Sequence, residues 1–275
     1  MGPGYDISDV IKKRRSVRTF EKKALTDEDY SRIKDYLSEA KNPYDIPVEF
    51  RLLDPGEYGL KSKVLKGESL YFAGKVKKVP HFEEAFGYSF EAVVLFAQSL
   101  GVGTVWMAST MNRDTFEKAM ELKEDEILPA VSPLGYGSDK MSMTESLMRR
   151  TMGADNRLDT GKIVFENEYG NSFKGRDDKL LEEALEMVRL APSARNKQPW
   201  RLILSGNEVY FYEKKDSGFD RKETGDIQKT DIGIAMYHFA NVMESGGRAV
   251  SLKVEDPGLS VPDGVVYVST YVWGE

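Results

Sequence analysis

Apolar and polar positions along this chain switch between helical and strand periods, and they do so twice in nearly the same order. In the first half, Leu25-Thr26-Asp27-Glu28-Asp29-Tyr30 places a cap at Thr26, acidic residues in the first turn and a Leu25/Tyr30 hydrophobic staple. This predicts a helix from Thr26 to Lys41, stopped by Asn42-Pro43. Val48 to Leu53 and Ser69 to Ala73 read as strands. From His81 to Leu100 the apolar residues leave almost no polar face, which predicts a buried central helix ended by Gly101. Asn112 caps a short helix to Met120, and Ile127 to Gly135 reads as a strand near a sheet edge, because Pro129 and Pro133 cannot donate to a ladder.

The second half repeats the order: a helix from Asp178 to Leu190, strands at Trp200 to Leu204 and Glu208 to Tyr212, a helix from Lys229 to Ser245, and a β-rich Val265 to Trp273. Pairing Pro47 with Pro199, an offset of 152, aligns Phe50-Arg51-Leu52 with Leu202-Ile203-Leu204. Pairing Gly101 with Gly247, an offset of 146, also pairs Gly87 with Gly233 and Ser99 with Ser245. The two offsets differ by six residues, a loop-length change, so the registers read as an internal repeat, the alternative being two α+β segments with a similar order of elements. The expected organisation is α+β, with related halves at 1–160 and 176–275, the second shorter and degenerate, joined by a polar, glycine-bearing linker at 161–175.

Composition narrows the function classes. The chain has 275 residues, 40% hydrophobic and 31% charged, which suits a soluble globular protein of one large or two modest domains. No apolar run approaches the ~20 residues of a membrane span, and the start, Met1 to Asp6, lacks the basic and apolar regions of a secretory signal. A cytoplasmic protein without membrane association is expected. With no cysteine and only His81 and His238, disulfides, thiolate chemistry and a metal site are not expected. A net charge of -6 argues against a general nucleic-acid binder.

Against that acidic background, Arg14-Arg15-Ser16-Val17-Arg18 stands out. Arg14 and Arg18 fall one helical turn apart at the end of the amphipathic segment marked by Ile7, Val10 and Ile11. Guanidinium forks match phosphate oxygens bidentately, so this cluster reads as a phosphate clamp. A solvated basic helix end, or a targeting or nucleic-acid patch helped by Lys12 and Lys13, is the alternative. In the other half, Ala191-Pro192-Ser193-Ala194-Arg195-Asn196-Lys197-Gln198-Pro199-Trp200 joins a helix to a strand and leaves Ser193 and Asn196 free to hydrogen-bond a flat polar ligand. Gly101-Val102-Gly103 lacks the third glycine and the preceding strand of a dinucleotide fingerprint. His81 and His238 read as structural, and Glu121 to Glu126 as a solvated helix face.

These two motifs together resemble the nitroreductase family of FMN-dependent oxidoreductases, whose chains open with Arg-x-Ser-x-Arg/Lys and carry Pro-Ser-x-x-Asn-x-Gln-Pro-Trp. The split arrangement is similar to a branch with two nitroreductase-like halves fused in one chain. Leu100 to Met107 resembles the family segment after the long helix, Leu134-Gly135-Tyr136-Gly137 its late Gly-Tyr-Pro strand end, and Arg149 and Arg150 its returning basic residues. The first half reads Ala40-Lys41-Asn42-Pro43-Tyr44 where Pro-Ser-x-x-Asn belongs, and the second has Gly246-Gly247-Arg248-Ala249 in place of Gly-x-Gly-Thr-x-Trp.

The resemblance implies a monomer folded as a pseudo-dimer that binds one FMN. Arg14, Arg15, Ser16, Arg18, Arg149 and Arg150 would hold the phosphate. Trp106, Met107, Ala108, Ser109, Leu134 and Gly135 would lie along the flavin, with Ala108 and Ser109 offering backbone N–H groups. Pro192, Ser193, Ala194 and Asn196 would meet the ring and ribityl chain. NADH or NADPH would reduce the flavin, and a nitroaromatic, quinone or similar small acceptor would reoxidise it in ping-pong order. A non-catalytic or sensory flavin binder, and a flavin-dependent dehalogenase or flavin-fragmenting relative, are the alternatives.

Overall fold

In the computed structural model, which describes residues 4–139, 142–151, 153 and 156–274, each half builds one five-stranded sheet behind one long central helix. The chain opens with α1 (Ile7–Lys13) and α2 (Asp27–Glu39), then β1 (Val48–Leu53), α3 (Pro55–Tyr58) and β2 (Leu70–Lys77). Thr26 caps α2 as expected, its hydroxyl accepting from Asp29 N at 3.1 Å. The central helix α4 (Phe82–Ser99) follows, then β3 (Val102–Gly103), α5 (Arg113–Ala119), β4 (Glu126–Ile127), β5 (Val131–Tyr136) and α6 (Met143–Thr151).

The first sheet runs β1-β2-β5-β3 with β4 also on β2, and all of these pairs are antiparallel. Its strand β5 lies between β2 and β3, not at an edge. Pro133 is tolerated there because β3 engages only Gly135 and Tyr136, so the missing proline N–H deprives no neighbour.

In the second half, α7 (Thr160–Ile163) and β6 (Val164–Glu166) precede α8 (Lys179–Leu190), whose N-cap Asp178 accepts from Leu181 N at 3.1 Å. The strands β7 (Trp200–Ser205) and β8 (Glu208–Lys214), the small hairpin β9 (Asp220–Arg221) and β10 (Gly225–Asp226), the central helix α9 (Ile227–Ser245), β11 (Val250–Lys253) and β12 (Val265–Trp273) complete it. The second sheet runs β11-β12-β8-β7-β6, with only the β6–β7 pair parallel.

The stretch expected as a linker, 161–175, is therefore part of the second half. Ile163, Val164, Phe165 and Phe173 are buried there, and β6 extends the sheet. Conversely, the apolar face of α1 (Ile7, Val10, Ile11) joins the second half's core with Leu185, Val188 and Phe239. The halves are thus interleaved through a shared hydrophobic core, which also takes Ala92 and Leu95 from α4. The two central helices, one from each half, pack directly on each other. Among the described residues no helix is long and apolar enough to cross a membrane.

A candidate cofactor site between the halves

The Arg-rich motif is not helical where it matters. Helix α1 ends at Lys13, and Arg14 is its C-cap with extended backbone (φ -60°, ψ 128°). Ser16 then bridges Thr104 in parallel, and Val17 N donates to Thr104 O at 2.8 Å. Side chains of extended backbone alternate in direction. Arg14, Ser16 and Arg18 consequently share one side and line a cavity, while Val17 is buried on the other side and Arg15 is exposed. The expected helical-turn pairing is replaced by a period of two, and Arg15 leaves the clamp.

That cavity, of about 430 Å³, is walled by the segment Val105 to Thr110 from the first half and by Pro192 to Asn196 from the second. The first wall is pinned to β5. Met107 exchanges backbone bonds with Val131 at 2.9 and 3.0 Å, and the Arg113 guanidinium donates to Ala108 O at 2.9 Å. Trp106, Met107, Ala108 and Ser109 all line the cavity as expected.

The second wall is a tight loop in which Arg195, Asn196 and Gln198 all have φ between 50° and 54°. Each such non-glycine residue is unfavourable by roughly 1–2 kcal/mol, so the loop needs external ties. Gln198 N donates to Ser193 Oγ at 2.9 Å, and Leu158 N to Gln198 Oε1 at 2.9 Å. Asn196 Nδ2 donates to Gly153 O at 2.8 Å and to Asn156 O at 2.9 Å. Ser193 and Asn196 therefore line the cavity but are not free: their side chains are engaged in holding the loop. Pro192 and Ala194 line it too, and Ala194 N reaches both carboxylate oxygens of Asp231 at 3.1 and 3.0 Å.

Several lining residues escaped the sequence reading. Phe219 and Arg221 come from the turn and hairpin before α9, and Thr230 and Asp231 from the first turns of α9. Arg157 donates to Leu190 O at 3.3 Å and also lines the cavity. Nothing in their local sequence marks them, since they converge only through the fold; the capping residue Asp226 at the start of α9 was the one available signal that a helix N-terminus opens nearby. Burial holds the Asp231 carboxyl well above the usual carboxylate range, opposed by the bond from Ala194 N and reinforced by the charges of Asp226 and Glu213.

Other expected contacts fall elsewhere. Leu134 is fully buried in the core of the first sheet, and Gly135 lies against Phe20, so neither lines the cavity. Arg150 is exposed on α6 and is not in the lining, and the side chain of Arg149 lies outside the described residues.

The donor set fits a flat phosphate-bearing cofactor. Among the described residues, five arginines (Arg14, Arg18, Arg157, Arg195 and Arg221) line the cavity against a single carboxyl, Asp231. Thr230 Oγ1 is buried in that lining with no hydrogen-bond partner among the described residues. A cationic, concave site between packed halves with unused polar capacity is what an anionic aromatic ligand requires.

Comparison with known proteins agrees with the architecture. The family model described as "Putative TM nitroreductase" matches residues 6–242. A crystal structure described as a putative nitroreductase from Thermotoga maritima is 19% identical, covers 99% of this chain and 95% of that one, and superposes with a TM-score of 0.60. An FMN-dependent nitroreductase from Clostridium difficile is 17% identical over 48% of this chain and 88% of its own, with a TM-score of 0.42. A structure described as a putative NADH dehydrogenase/NAD(P)H nitroreductase from Bacteroides thetaiotaomicron is 23% identical over 50% and 90%, with a TM-score of 0.43. No curated protein matches.

Proposed function

The chain belongs to this nitroreductase family, and from that premise we propose that it is an FMN-dependent oxidoreductase with one flavin site per chain. One observation carries the reading: Arg14, Ser16 and Arg18 from one half, and the Pro192 to Asn196 loop from the other, line the same cavity. In this reading the Arg14/Ser16/Arg18 edge holds the phosphate through charge-assisted bonds. The walls at Trp106 to Ser109 and at Pro192 to Asn196 hold the ring system between them. Bound FMN supplies the hydride relay from NADH or NADPH to a small acceptor such as a nitroaromatic or quinone. The protein's part is to orient the ring, exclude water and present a cationic surround that favours negative charge.

The reading includes a cytoplasmic monomer, because the pseudo-dimer already supplies within one chain the interface on which the site stands. Reconstitution tests it. The purified chain should take up one FMN, and stopped-flow mixing with NADH or NADPH should bleach the flavin rapidly. Uptake of two flavins, or of none, would overturn the site assignment; a loaded protein that is not reduced would be a flavin-binding module and not a reductase.

A further inference from the structure

Trp106 is tethered through two buried ionisable residues to the opposite half. Its indole Nε1 donates to Glu91 Oε2 at 2.8 Å, and Glu91 Oε1 lies 3.1 Å from His238 Nε2. His238 Nδ1 in turn lies 2.8 Å from the carbonyl oxygen of Met187. Glu91 on α4 and His238 on α9 are both fully buried, so the chain of bonds runs from the cavity wall across both central helices to α8.

The donors and acceptors fix the proton count. A carbonyl oxygen only accepts, so His238 Nδ1 carries a proton. Between Nε2 and Oε1 there is then room for one proton: two would set O–H against N–H, and none would set two lone pairs against each other. Whether drawn as imidazolium and carboxylate or as imidazole and carboxylic acid, the pair is neutral overall, which makes full burial tolerable.

Packing alone does not call for such a pair, since apolar residues of similar volume commonly serve stability as well or better. What apolar residues cannot supply is an acceptor for the indole N–H of Trp106. That ring packs tilted against Phe90, with centroids 4.2 Å apart, and edge-on to Phe86 at 6.3 Å, and it lines the cavity. We propose that Glu91 and His238 are positioning residues: a one-proton pair that bridges the central helices and fixes Trp106 in the cavity wall, so that both halves set the shape of the ligand site.

The inference rests on the flavin reading only for its ligand probe, FMN. In the ligand-free full chain, the Trp106 indole N–H resonance, identified by its loss in Trp106→Phe, should be protected from hydrogen exchange. Glu91→Gln should keep that protection, because its amide oxygen accepts from Trp106 while its amide N–H donates to His238 Nε2, and FMN affinity should stay within about threefold of wild type. Glu91→Leu should lose the protection and weaken FMN binding roughly tenfold or more, the scale seen when an orienting partner is removed from a binding group.

If Glu91→Leu does not fold, the 15N resonances of His238 in the wild-type chain decide, and Nδ1 must show a directly bonded proton. An unprotonated Nδ1, or a folded Glu91→Leu with wild-type protection and affinity, overturns the proposal. Failure of the wild-type chain to take up FMN would instead defeat the flavin reading, while loss of indole protection in Glu91→Leu would still support the hold on Trp106.

Discussion

Gly87 and Gly233 stand at equivalent points on the two central helices, each beneath the backbone of the other's helix. A Cβ at Gly87 would sit 2.1 Å from Thr230 O, and one at Gly233 would sit 2.1 Å from Glu84 O. Both pairs differ by the same offset of 146, 233 against 87 and 230 against 84. A contact that maps onto itself when the halves are exchanged defines a pseudo-twofold axis through the crossing. The helices approach closely enough there that only glycine fits.

Gly87→Ala and Gly233→Ala should therefore each destabilise the chain, by about 1–3 kcal/mol as the backbones are pushed apart. Because the sites are related by the pseudo-twofold, the two losses should be similar in size. Urea unfolding monitored by circular dichroism measures both; a variant as stable as wild type would show that the crossing is not close-packed.

The repeat behind that axis is legible in the glycine register of the sequence, and so is the pair of motifs that meet in the cavity. The interior placement of β5 is not, because a proline is silent about whether a neighbouring strand stops short of it, as β3 does. Arg15 shows a second limit: a run that follows an amphipathic helix inherits its period on paper. The bridge from Ser16 to Thr104, a contact across some ninety residues, holds it extended. Phe219, Arg221 and Asp231 were illegible for the same reason, since non-local folding alone gathers them.

The alternation along that extended segment yields a discriminating test. Arg14→Ala combined with Arg18→Ala should weaken FMN binding by on the order of a hundredfold or more, given ~1.5–3 kcal/mol for each charge-assisted bond. Arg15→Ala, on the exposed side, should leave affinity within about twofold. Flavin fluorescence titration reads all of them, and an equal loss in Arg15→Ala would restore the helical arrangement.

Asp231 is the tie between α9 and the strained loop. Asp231→Asn keeps an oxygen to accept from Ala194 N, whereas Asp231→Leu leaves that partly buried donor unpaired at a cost of about 1–3 kcal/mol. FMN affinity should stay near wild type in the first and drop about tenfold in the second, with Ser193→Ala intermediate because Gln198 N loses its partner. Calorimetric titration would check the order, and equal affinities across the series would separate the loop's conformation from binding.

Glu213 makes stability depend on pH in a direction opposite to the usual paired carboxylate. Burial, reinforced by the charge of Asp226 and opposed by Lys215, pushes its carboxyl up from 4.5 to about 7. Below about pH 4.5 both folded and unfolded chains hold this proton, so its contribution is complete there. Between about 4.5 and 7 only the folded chain retains it, so this group's share of stability falls as pH rises, at up to ~1.4 kcal/mol per unit, and levels off above 7. Glu213→Gln should flatten that slope without abolishing it, because Asp231 is displaced in the same direction. Urea midpoints at pH 4.5, 5.5 and 7 would show it, and an unchanged slope would mean that Glu213 titrates as an ordinary carboxyl.

Tyr44 marks where the two loops related by the pseudo-twofold differ. At the offset of 152 it stands where the second half has Asn196, in a loop whose Asn42 is tied to Ser89 of α4 at 3.1 Å. Its ring stacks on His81 with centroids 5.2 Å apart, and its hydroxyl crosses to Ser269 of β12 and to Met236 of α9 at 3.5 Å. An aromatic side chain of the protein thus spans the halves at the position related to one wall of the cofactor cavity. Tyr44→Phe should lose about 1 kcal/mol of stability with the hydroxyl bond, and Tyr44→Ala about 2 kcal/mol or more with the packing. Neither should raise flavin stoichiometry above one, because an emptied ring position still lacks the arginine edge that Arg14 and Arg18 give the other site. Equilibrium dialysis of Tyr44→Ala against FMN measures this directly: a second bound flavin would mean that the tyrosine, and not the missing phosphate clamp, is what closes the second site.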